Sequence, residues 1–345
     1  MKINFSIAGC LFVSSFVFLA PHIHQSQSAP PPPPDQHESP AKIKMTVGVV
    51  VLHATTENHK GVSVSGLEKD NFQVFEDGVA QRIEHFSHAD IPVTVGLVVD
   101  GSGSMRPKRN DVISAAKAFV QSSNSEDEMF VVNFNEHVSF GLPEGIFTNK
   151  ITPMQLAIER SPVSGKTALY DAISAGLDRL KLGTLNKKVL IVISDGGDNA
   201  STHTLKEIMT QAVESNAVIY TIGLFDDSDM DRNPGILKQL ARATGGEFFQ
   251  PEVIDTVIPI CAHIAADIRN QYTIAYTPTN AAADGAFRNI QVRAKAEGQD
   301  RLIVRTRTGY YAPGEPSNPL PKKQTSHSSP AHFIEKPDDK PGDRK

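Results

Sequence analysis

This chain of 345 residues has only two cysteines and no excess of basic over acidic residues, and each of these shortages argues against a class of protein. Of the two cysteines, Cys10 falls in a segment that we expect to be removed on export, so the mature chain could form no intramolecular disulfide. The spacing of Cys261 with Val257, Ile264 and Ile268 predicts a buried thiol on a helix. The formal net charge of −5 argues against a nucleic-acid partner, since such domains normally carry a basic face.

Complete catalytic motifs are lacking as well. The loop from Gly101 to Gly103 begins like a dinucleotide-binding turn, but Arg106 stands where the third glycine belongs, and Asp100 would repel a pyrophosphate. A serine-hydrolase elbow centred on Ser102 would need glycine at positions 100 and 104. Both chemistries are therefore disfavoured.

The acidic segment that begins at Asp227 resembles the start of an EF-hand calcium loop. Asp229 and Asp231 continue the pattern, but Arg232 replaces the glycine at the sixth position and Lys238 replaces the final glutamate. The favoured interpretation is a solvated acidic loop, with an irregular calcium site as the alternative. The histidines show no zinc-ligand spacing with cysteines or carboxylates.

The N-terminal segment is typical of an export signal. Lys2 is followed by the mainly apolar run Ile3–Ala20 and then by small and polar residues, which predicts a signal peptide over residues 1–29 and a periplasmic, cell-surface or secreted protein. The alternatives are an uncleaved membrane anchor, because the apolar run approaches the length of a spanning helix, and lipidation of Cys10. Only such an anchor would bring the chain into contact with a membrane.

Proline-rich and polar stretches bound the folded part of the chain. Residues 30–41 contain five consecutive prolines and predict a stiff linker. Residues 313–345 are rich in Pro, Lys, Asp and Ser, which predicts a disordered tail.

Short strands are predicted on both sides of a central block. Residues 42–91 and 271–312 carry short apolar runs, and Asp77-Gly78 is a hairpin turn signal. The predicted strands are Met45–Leu52, Phe72–Phe75, Arg82–Phe86, Tyr272–Tyr276, Asn289–Ala294 and Leu302–Thr306.

Residues 92–270 alternate between strand and helix patterns. Nearly unbroken apolar runs are typical of parallel strands buried on both faces, and amphipathic segments separate them. Thr204 with Glu207 predicts a capping box that opens one helix, and Gly245 closes another. This alternation predicts an α/β fold with a doubly wound, mostly parallel sheet. The apolar runs are Val93–Val99, Met129–Val132, Val189–Ile193 and Val218–Ile222.

The segment after the first of these runs carries a pattern of oxygen ligands. Asp100, Ser102 and Ser104 alternate with glycines in a tight turn, so their oxygens could converge on a small divalent cation. Thr167 precedes a helix and Asp195 ends another apolar strand, and both are expected at the same edge of the sheet. An Asp–Ser turn by itself is also a common cap, but the three segments together point to a site.

These five residues resemble the metal-ion-dependent adhesion site of von Willebrand factor A (VWA) domains. The resemblance implies that the hydroxyls of Ser102, Ser104 and Thr167 contact the metal, and that Asp100 and Asp195 bind it directly or through waters. It also implies a Mg²⁺ ion, or Mn²⁺ or Ca²⁺, whose coordination is completed by an acidic residue of a protein partner. Asp171 stands at a position that is commonly acidic in the family, although a solvated helix carboxylate is the favoured interpretation.

The flanking strands resemble those of VWFA-related domain proteins described from Acidobacteria. The resemblance is carried by residues 70–78, 272–278 and 307–311, and it suggests that strands of 42–91 and 271–312 join in one small β-sandwich. We therefore expect residues 92–270 to fold when expressed alone and residues 42–90 to remain unfolded; a stable 42–90 fragment would contradict the sandwich.

Three functions remain open from the sequence. The favoured one is an exported adhesion-type binding module that is not an enzyme. The alternatives are a metal-assisted hydrolase, which would need a general base that no His or Glu of the three site segments evidently supplies, and an envelope protein whose metal only stabilises loops. The oligomeric state and the partner's identity are not encoded in any recognisable motif.

Overall fold

The structure is a computed structural model that describes residues 48–160, 162–225, 231–251, 256–298 and 302–314. The predicted signal peptide, the proline-rich linker and nearly all of the predicted tail lie outside these residues, as do Asp227 and Asp229 of the acidic segment. In the part of the chain that is described, no helix is both long and apolar enough to cross a bilayer.

The described residues form fourteen strands and six α-helices. The strands are β1 Val50–Glu57, β2 Phe72–Glu76, β3 Val79–Gln81, β4 His85–Ser87, β5 Val93–Asp100, β6 Glu128–Phe134, β7 Val138–Phe140, β8 Lys187–Ser194, β9 Val218–Gly223, β10 Phe248–Phe249, β11 Tyr272–Tyr276, β12 Phe287–Ala294, β13 Ile303–Arg305 and β14 Gly309–Tyr311. The helices are α1 Arg109–Ser122, α2 Ile151–Glu159, α3 Leu169–Leu180, α4 Leu205–Glu214, α5 Pro234–Thr244 and α6 Val257–Arg269. Short 3₁₀ helices span Lys69–Asn71 and Gly103–Lys108.

The central sheet is doubly wound and mostly parallel, as predicted. Its strand order is β10-β9-β8-β5-β6-β7, and β7 alone among these strands runs antiparallel to its neighbour. All eight residues of β5 are buried, because helices cover both faces of the sheet. Val95, Leu97 and Val99 pack with α1, α2 and α6, whereas Val98 packs with α3, α4 and α5.

The topology places a crevice beside β5. The chain adds β6 on one side of β5 and later adds β8 on the other side, so the winding direction reverses there. In open α/β sheets, ligands bind outside the carboxyl ends of the strands at such a switch point. Here the carboxyl ends of the adjacent strands β5 and β8 are Asp100 and Ser194.

Local signals at two helix ends behave as predicted. The Thr204 side chain accepts from the Glu207 amide, and the Glu207 side chain accepts from the Thr204 amide, which completes the capping box of α4. Gly245 ends α5 in the left-handed region with φ of 85°. Cys261 is buried on α6, as its helical spacing predicted.

The flanking strands form two four-stranded sheets that pack into a small sandwich. One has the order β13-β1-β11-β4 and the other β14-β12-β2-β3, so each sheet mixes strands from both flanks. Leu52 and Ile274 of the first sheet share a buried core with Val74 and Val292 of the second. The predicted fold class is confirmed.

The predicted strand Arg82–Phe86 is wrong, and β1 extends further than predicted. Asp77 and Gly78 have φ of 46° and 83°, which makes a tight hairpin that starts β3 at Val79 at once. Because β3 pairs with β2 in one sheet and β4 pairs with β11 in the other, the chain must cross between sheets near Ile83. One continuous strand could not serve both sheets.

A charged cluster joins the sandwich to the α/β part of the chain. The Arg305 guanidinium on β13 hydrogen-bonds to Glu57 on β1 and lies 3.2 Å from the Asp267 carboxylate on α6. It also lies 3.1 Å from the carboxylate of Glu247. These contacts bring residues from both ends of the described chain to the last helix of the central block.

Candidate metal site

The first segment of the candidate site follows directly from the end of β5. Asp100 is the last residue of the strand, and the backbone then turns into the 3₁₀ helix Gly103–Lys108. The turn brings the Ser102 amide to 2.8 Å from Asp100 Oδ1, to which it donates a hydrogen bond. Asp100 and Ser102 are each only 1% exposed, so this end of β5 presents polar oxygens in a largely buried setting.

The second carboxylate comes from the neighbouring strand. Asp195 follows β8, and its Oδ1 accepts a hydrogen bond of 3.0 Å from the Gly197 amide. Gly196 has φ of 79°, and an added Cβ there would lie 2.3 Å from the Asn233 carbonyl oxygen, so this turn requires glycine. The adjacent parallel strands therefore deliver Asp100 and Asp195 to the same edge of the sheet.

Seryl hydroxyls link the two carboxylates. The Ser104 hydroxyl donates to Asp195 Oδ2 at 2.5 Å, and the hydroxyls of Ser102 and Ser104 are 3.1 Å apart. Asp100, Ser102, Ser104 and Asp195 consequently form one continuous cluster of oxygen atoms. The structure brings these four predicted residues together.

The fifth predicted residue, Thr167, lies in a loop that packs against the first segment. The Gly103 amide donates to the Gly165 carbonyl at 3.1 Å, and the Ser164 amide donates to the Gly101 carbonyl at 2.9 Å. Thr167 is 7% exposed and immediately precedes the cap of α3. Its loop therefore lies on the same side of the sheet as the Asp100 turn.

The electrostatics of the cluster suit a cation. Burial, and then the nearby charge of Asp195, raise the pKa of Asp100 from 3.8 to about 6, although hydrogen bonds from Ser102 and Ser194 act in the opposite direction. Among the described residues, none of the ion pairs involves Asp100 or Asp195. Buried carboxylates are normally paired or bound to metal, and carboxylate and hydroxyl oxygens are the donors that Mg²⁺ and Ca²⁺ prefer. The residues present therefore fit a divalent cation.

Two residues to which the sequence analysis gave no role contact the predicted site residues. The Ser194 hydroxyl donates to Asp100 Oδ2 at 2.6 Å and accepts from the Gly196 amide at 3.0 Å. The Asn199 side chain accepts from the Thr167 amide at 2.9 Å. Ser194 could have been singled out from the sequence, because it carries a hydroxyl and directly precedes Asp195. The contact between Asn199 and Thr167 could not, because it depends on two loops that only the fold brings together.

Asp171 is a partly solvated helix carboxylate that also makes tertiary contacts which the sequence did not indicate. Its side chain is 22% exposed and accepts hydrogen bonds from the backbone amides of Thr202 and His203, at 2.9 Å from the nearer carboxylate oxygen in each case. Although partial burial acts in the opposite direction, these hydrogen bonds lower the pKa of Asp171. Asp171 holds the loop after β8 against α3, a tertiary contact that helix periodicity does not encode.

A second group of ligand-type side chains lies at the junction with the sandwich. Glu57, Glu247 and His263 each offer a ligand atom within 4.8 Å of the others. The Arg305 guanidinium already contacts both carboxylates, and a cation would have to displace it. We therefore assign this group as an ion-pair cluster.

Comparison with known proteins agrees with this description. The sequence profile of the von Willebrand factor type A domain matches residues 94–257. The inter-alpha-trypsin inhibitor heavy chain H2 of Mesocricetus auratus is 27% identical over 169 residues, which are 45% of this chain and 17% of that protein. The human heavy chain H2 is 25% identical over the same shares of the two chains. This chain thus spans less than a fifth of the length of these curated relatives.

Two bacterial proteins are among the solved structures to which this chain is similar. A von Willebrand factor type A protein from Catenulispora acidiphila has a TM-score of 0.47 and 15% identity, covering 80% of this chain and 76% of its own. The vWF domain of the type V pili tip protein Mfa5 from Porphyromonas gingivalis has a TM-score of 0.44 and 14% identity, covering 53% of this chain and 96% of its own.

The fold and the site define an α/β domain whose polar cluster lies at the switch point of a doubly wound sheet. Residues 94–257, which include all five predicted site residues, form a von Willebrand factor type A domain. The narrower resemblance of the flanks to acidobacterial proteins stays a prediction.

Proposed function

We propose that this protein is a divalent-cation-dependent binding module of the adhesion type. Asp100, Ser102, Ser104, Thr167 and Asp195 would hold the cation, and an acidic residue of a protein partner would complete its coordination. The observation that carries the proposal is the pair of buried carboxylates, Asp100 and Asp195, linked through two seryl hydroxyls at the carboxyl edge of the sheet.

The chemistry of the donor set supports a binding role. Three of the five proposed ligands are neutral hydroxyls, so at most two carboxylates bind the cation, which would remain electrophilic enough to take an external carboxylate as a further ligand. Mg²⁺ keeps waters readily and suits a site with few carboxylates, while Mn²⁺ and Ca²⁺ also accept oxygen ligands. VWA domains typically mediate protein–protein interaction or adhesion, which agrees with this use of the site.

Metal titration tests the first half of the proposal. Mg²⁺ and Mn²⁺ are titrated into the protein by calorimetry, and free Mn²⁺ is followed by electron paramagnetic resonance. We expect binding in the wild type and its loss in Asp100→Ala, whereas Asp178→Ala, which removes an exposed carboxylate from α3, should bind as the wild type does. Equal binding by Asp100→Ala and wild type would refute the site.

Partner capture tests the second half. The wild type and Asp100→Ala are used to capture proteins from an envelope fraction, with Mg²⁺ and with EDTA. We expect a partner that is lost both with EDTA and in the variant. Capture that is insensitive to EDTA would favour a purely structural metal, and hydrolytic activity that depends on Asp100 would favour a metal-assisted hydrolase.

Export is part of the proposal and depends on residues 1–29. The support is the apolar run Ile3–Ala20 after Lys2. A fusion of residues 1–41 to a reporter that is active only outside the cytoplasm should be active, and N-terminal sequencing of the product should find a start near residue 29. An inactive fusion would contradict export, and an uncleaved product would identify a retained anchor.

A further inference from the structure

The loop after β8 is bound to the start of α3 by several side chains. We call residues 198–203 the latch segment. Besides the contacts of Asp171 with its far end, the Tyr170 amide donates to Asp198 Oδ1 at 3.2 Å, and the Asp171 amide donates to the Ser201 hydroxyl at 3.1 Å. The latch segment thus accepts hydrogen bonds from backbone amides in the first turn of α3, which have no acceptors within the helix.

Within the latch segment, Asn199 contacts a proposed metal ligand. The Thr167 amide donates to Asn199 Oδ1 at 2.9 Å, and the Asn199 amide donates back to the Thr167 carbonyl at 2.9 Å. The side-chain nitrogen of Asn199, Nδ2, donates to Asp231 Oδ2 at 3.1 Å. The Thr167 amide is therefore held by the Asn199 side chain, and the Thr167 carbonyl by the backbone amides of Asn199 and Ala200, the latter at 3.0 Å. Through Nδ2, Asn199 is itself hydrogen-bonded to a third loop.

Thr167 is hydrogen-bonded to Asn199 at its own amide, whereas the amides of its neighbours Lys166 and Ala168 donate to the Glu136 carboxylate and the Asn135 carbonyl. Thr167 lies between Gly165, whose φ is 87°, and the cap Ala168, which is outside the helical region. The φ and ψ of Thr167 set the direction of its Cα–Cβ bond and limit its χ1 rotamers, so a residue that restrains its amide and carbonyl limits where the hydroxyl can lie.

We propose that Asn199 is a positioning residue for the metal site, acting through Thr167. It joins the segment that carries Asp195 to the segment that carries Thr167, so that the hydroxyl is already in place before a cation arrives. The inference rests on the proposed cation site and adds a residue that the five-residue motif does not include. Mutation of residues that orient metal ligands typically weakens metal affinity by about 10- to 100-fold. We therefore expect Asn199→Ala to weaken Mn²⁺ binding by about ten-fold or more.

The test measures Mn²⁺ affinity by calorimetry for the wild type, Asn199→Ala, Thr167→Ala and the double variant, with thermal stability in EDTA measured alongside. If Asn199 acts through Thr167, Asn199→Ala should weaken binding in the wild-type background and have little further effect in Thr167→Ala. Full additivity of the two losses would overturn the proposal, because it would mean that Asn199 acts elsewhere. If Asn199→Ala does not fold, Asn199→Ser, whose side-chain oxygen is one bond shorter, carries the same expectation.

Asn135, which directly follows β6, provides a matched control because its side chain contacts the loop that carries Thr167. Its Nδ2 donates to the Ser164 carbonyl at 3.0 Å, three residues before Thr167, so Asn135→Ala removes a similar bond without touching a proposed ligand. We expect Asn135→Ala to lower stability in EDTA as much as Asn199→Ala does and to keep Mn²⁺ affinity near the wild-type value. An equal loss of affinity in both variants, or wild-type affinity in Asn199→Ala, would overturn the assignment of Asn199.

Asp100→Ala separates this inference from the proposed function. If Asp100→Ala binds Mn²⁺ as the wild type does, the cation site itself fails. If Asp100→Ala abolishes binding and Asn199→Ala leaves it intact, the site stands and the role of Asn199 alone is refuted.

Discussion

Replacing Arg305 with methionine should uncouple the sandwich from α6, the last helix of the central block. The guanidinium is 17% exposed, and the carboxylates of Asp267 and Glu57 that it contacts are 2% and 12% exposed. Asp267 also accepts a 2.6 Å hydrogen bond from the Tyr220 hydroxyl, so it cannot move out to water without breaking that bond. The variant would leave these carboxylates buried without their cation.

The size of the effect follows from that burial. Removing one partner of a buried ion pair costs about 3 to 5 kcal/mol of unfolding free energy, which corresponds to a fall in Tm of roughly 6 to 20 °C for a domain of this size. Urea unfolding followed by far-ultraviolet circular dichroism is the suitable assay, since the chain has no tryptophan. Glu247, being 31% exposed, is expected to contribute less than Asp267.

Two further variants make the Arg305 test decisive. Arg293→Met removes an exposed arginine of the neighbouring strand β12, whose guanidinium stacks on Phe75 at 4.6 Å, and should cost about 1 kcal/mol or less. Asp267→Asn in the Arg305→Met background should recover part of the loss, because one buried negative charge is removed. A loss in Arg305→Met no larger than that in Arg293→Met would refute the coupling.

The remaining predictions concern pH, a turn and the cation. Burial, and then the charges of Lys187 and Arg307, lower the pKa of His53 from 6.5 to about 3. The unfolded chain therefore binds a proton more readily than the folded chain does, and stability falls as the pH drops below 6.5. In urea titrations at pH 5, His53→Gln should remove about 1 to 2 kcal/mol of that loss. No difference in pH slope would contradict this. Gly196→Ala should lower the unfolding free energy by about 2 kcal/mol or more, because backbone strain and a steric clash combine. Gly61 has φ of 72° and open space around it, so Gly61→Ala should lower it by only about 1 kcal/mol. Equal losses in the two variants would argue against the Asn233 contact. Saturating Mg²⁺ at 100 times its Kd should stabilise the wild type by about 2.7 kcal/mol, and a Tm unchanged by Mg²⁺ would count against the site.

Features with a local cause were predictable from the sequence. The strands β5 and β8 are buried on both faces, so their apolar runs were unambiguous. The capping box at Thr204 and the left-handed Gly245 depend on neighbours within a few residues. The grouping of Asp100, Ser102, Ser104 and Asp195 could be anticipated because they follow strands whose carboxyl ends share an edge, while their role as metal ligands, with Thr167, stays a prediction.

Features that depend on distant segments were not predictable. Nothing near positions 82–86 indicates that the chain leaves one sheet for the other there, since pairing partners lie about 190 residues further along. Asp171 looks like any helix carboxylate until the latch segment packs against it. The Arg305 cluster and the Asn199 contact likewise form between loops and strands that are far apart in the chain, so no single stretch of sequence predicts them.

The sequence by itself therefore determined which residues form the central sheet and which oxygens end its strands, because hydrophobic periodicity and turn chemistry act over a few residues. The tertiary structure decided how those oxygens are held. Ser194 reaches across to Asp100 and Asn199 to Thr167, and each contact exists only because separate segments are brought within hydrogen-bond distance by packing of the helices on the sheet.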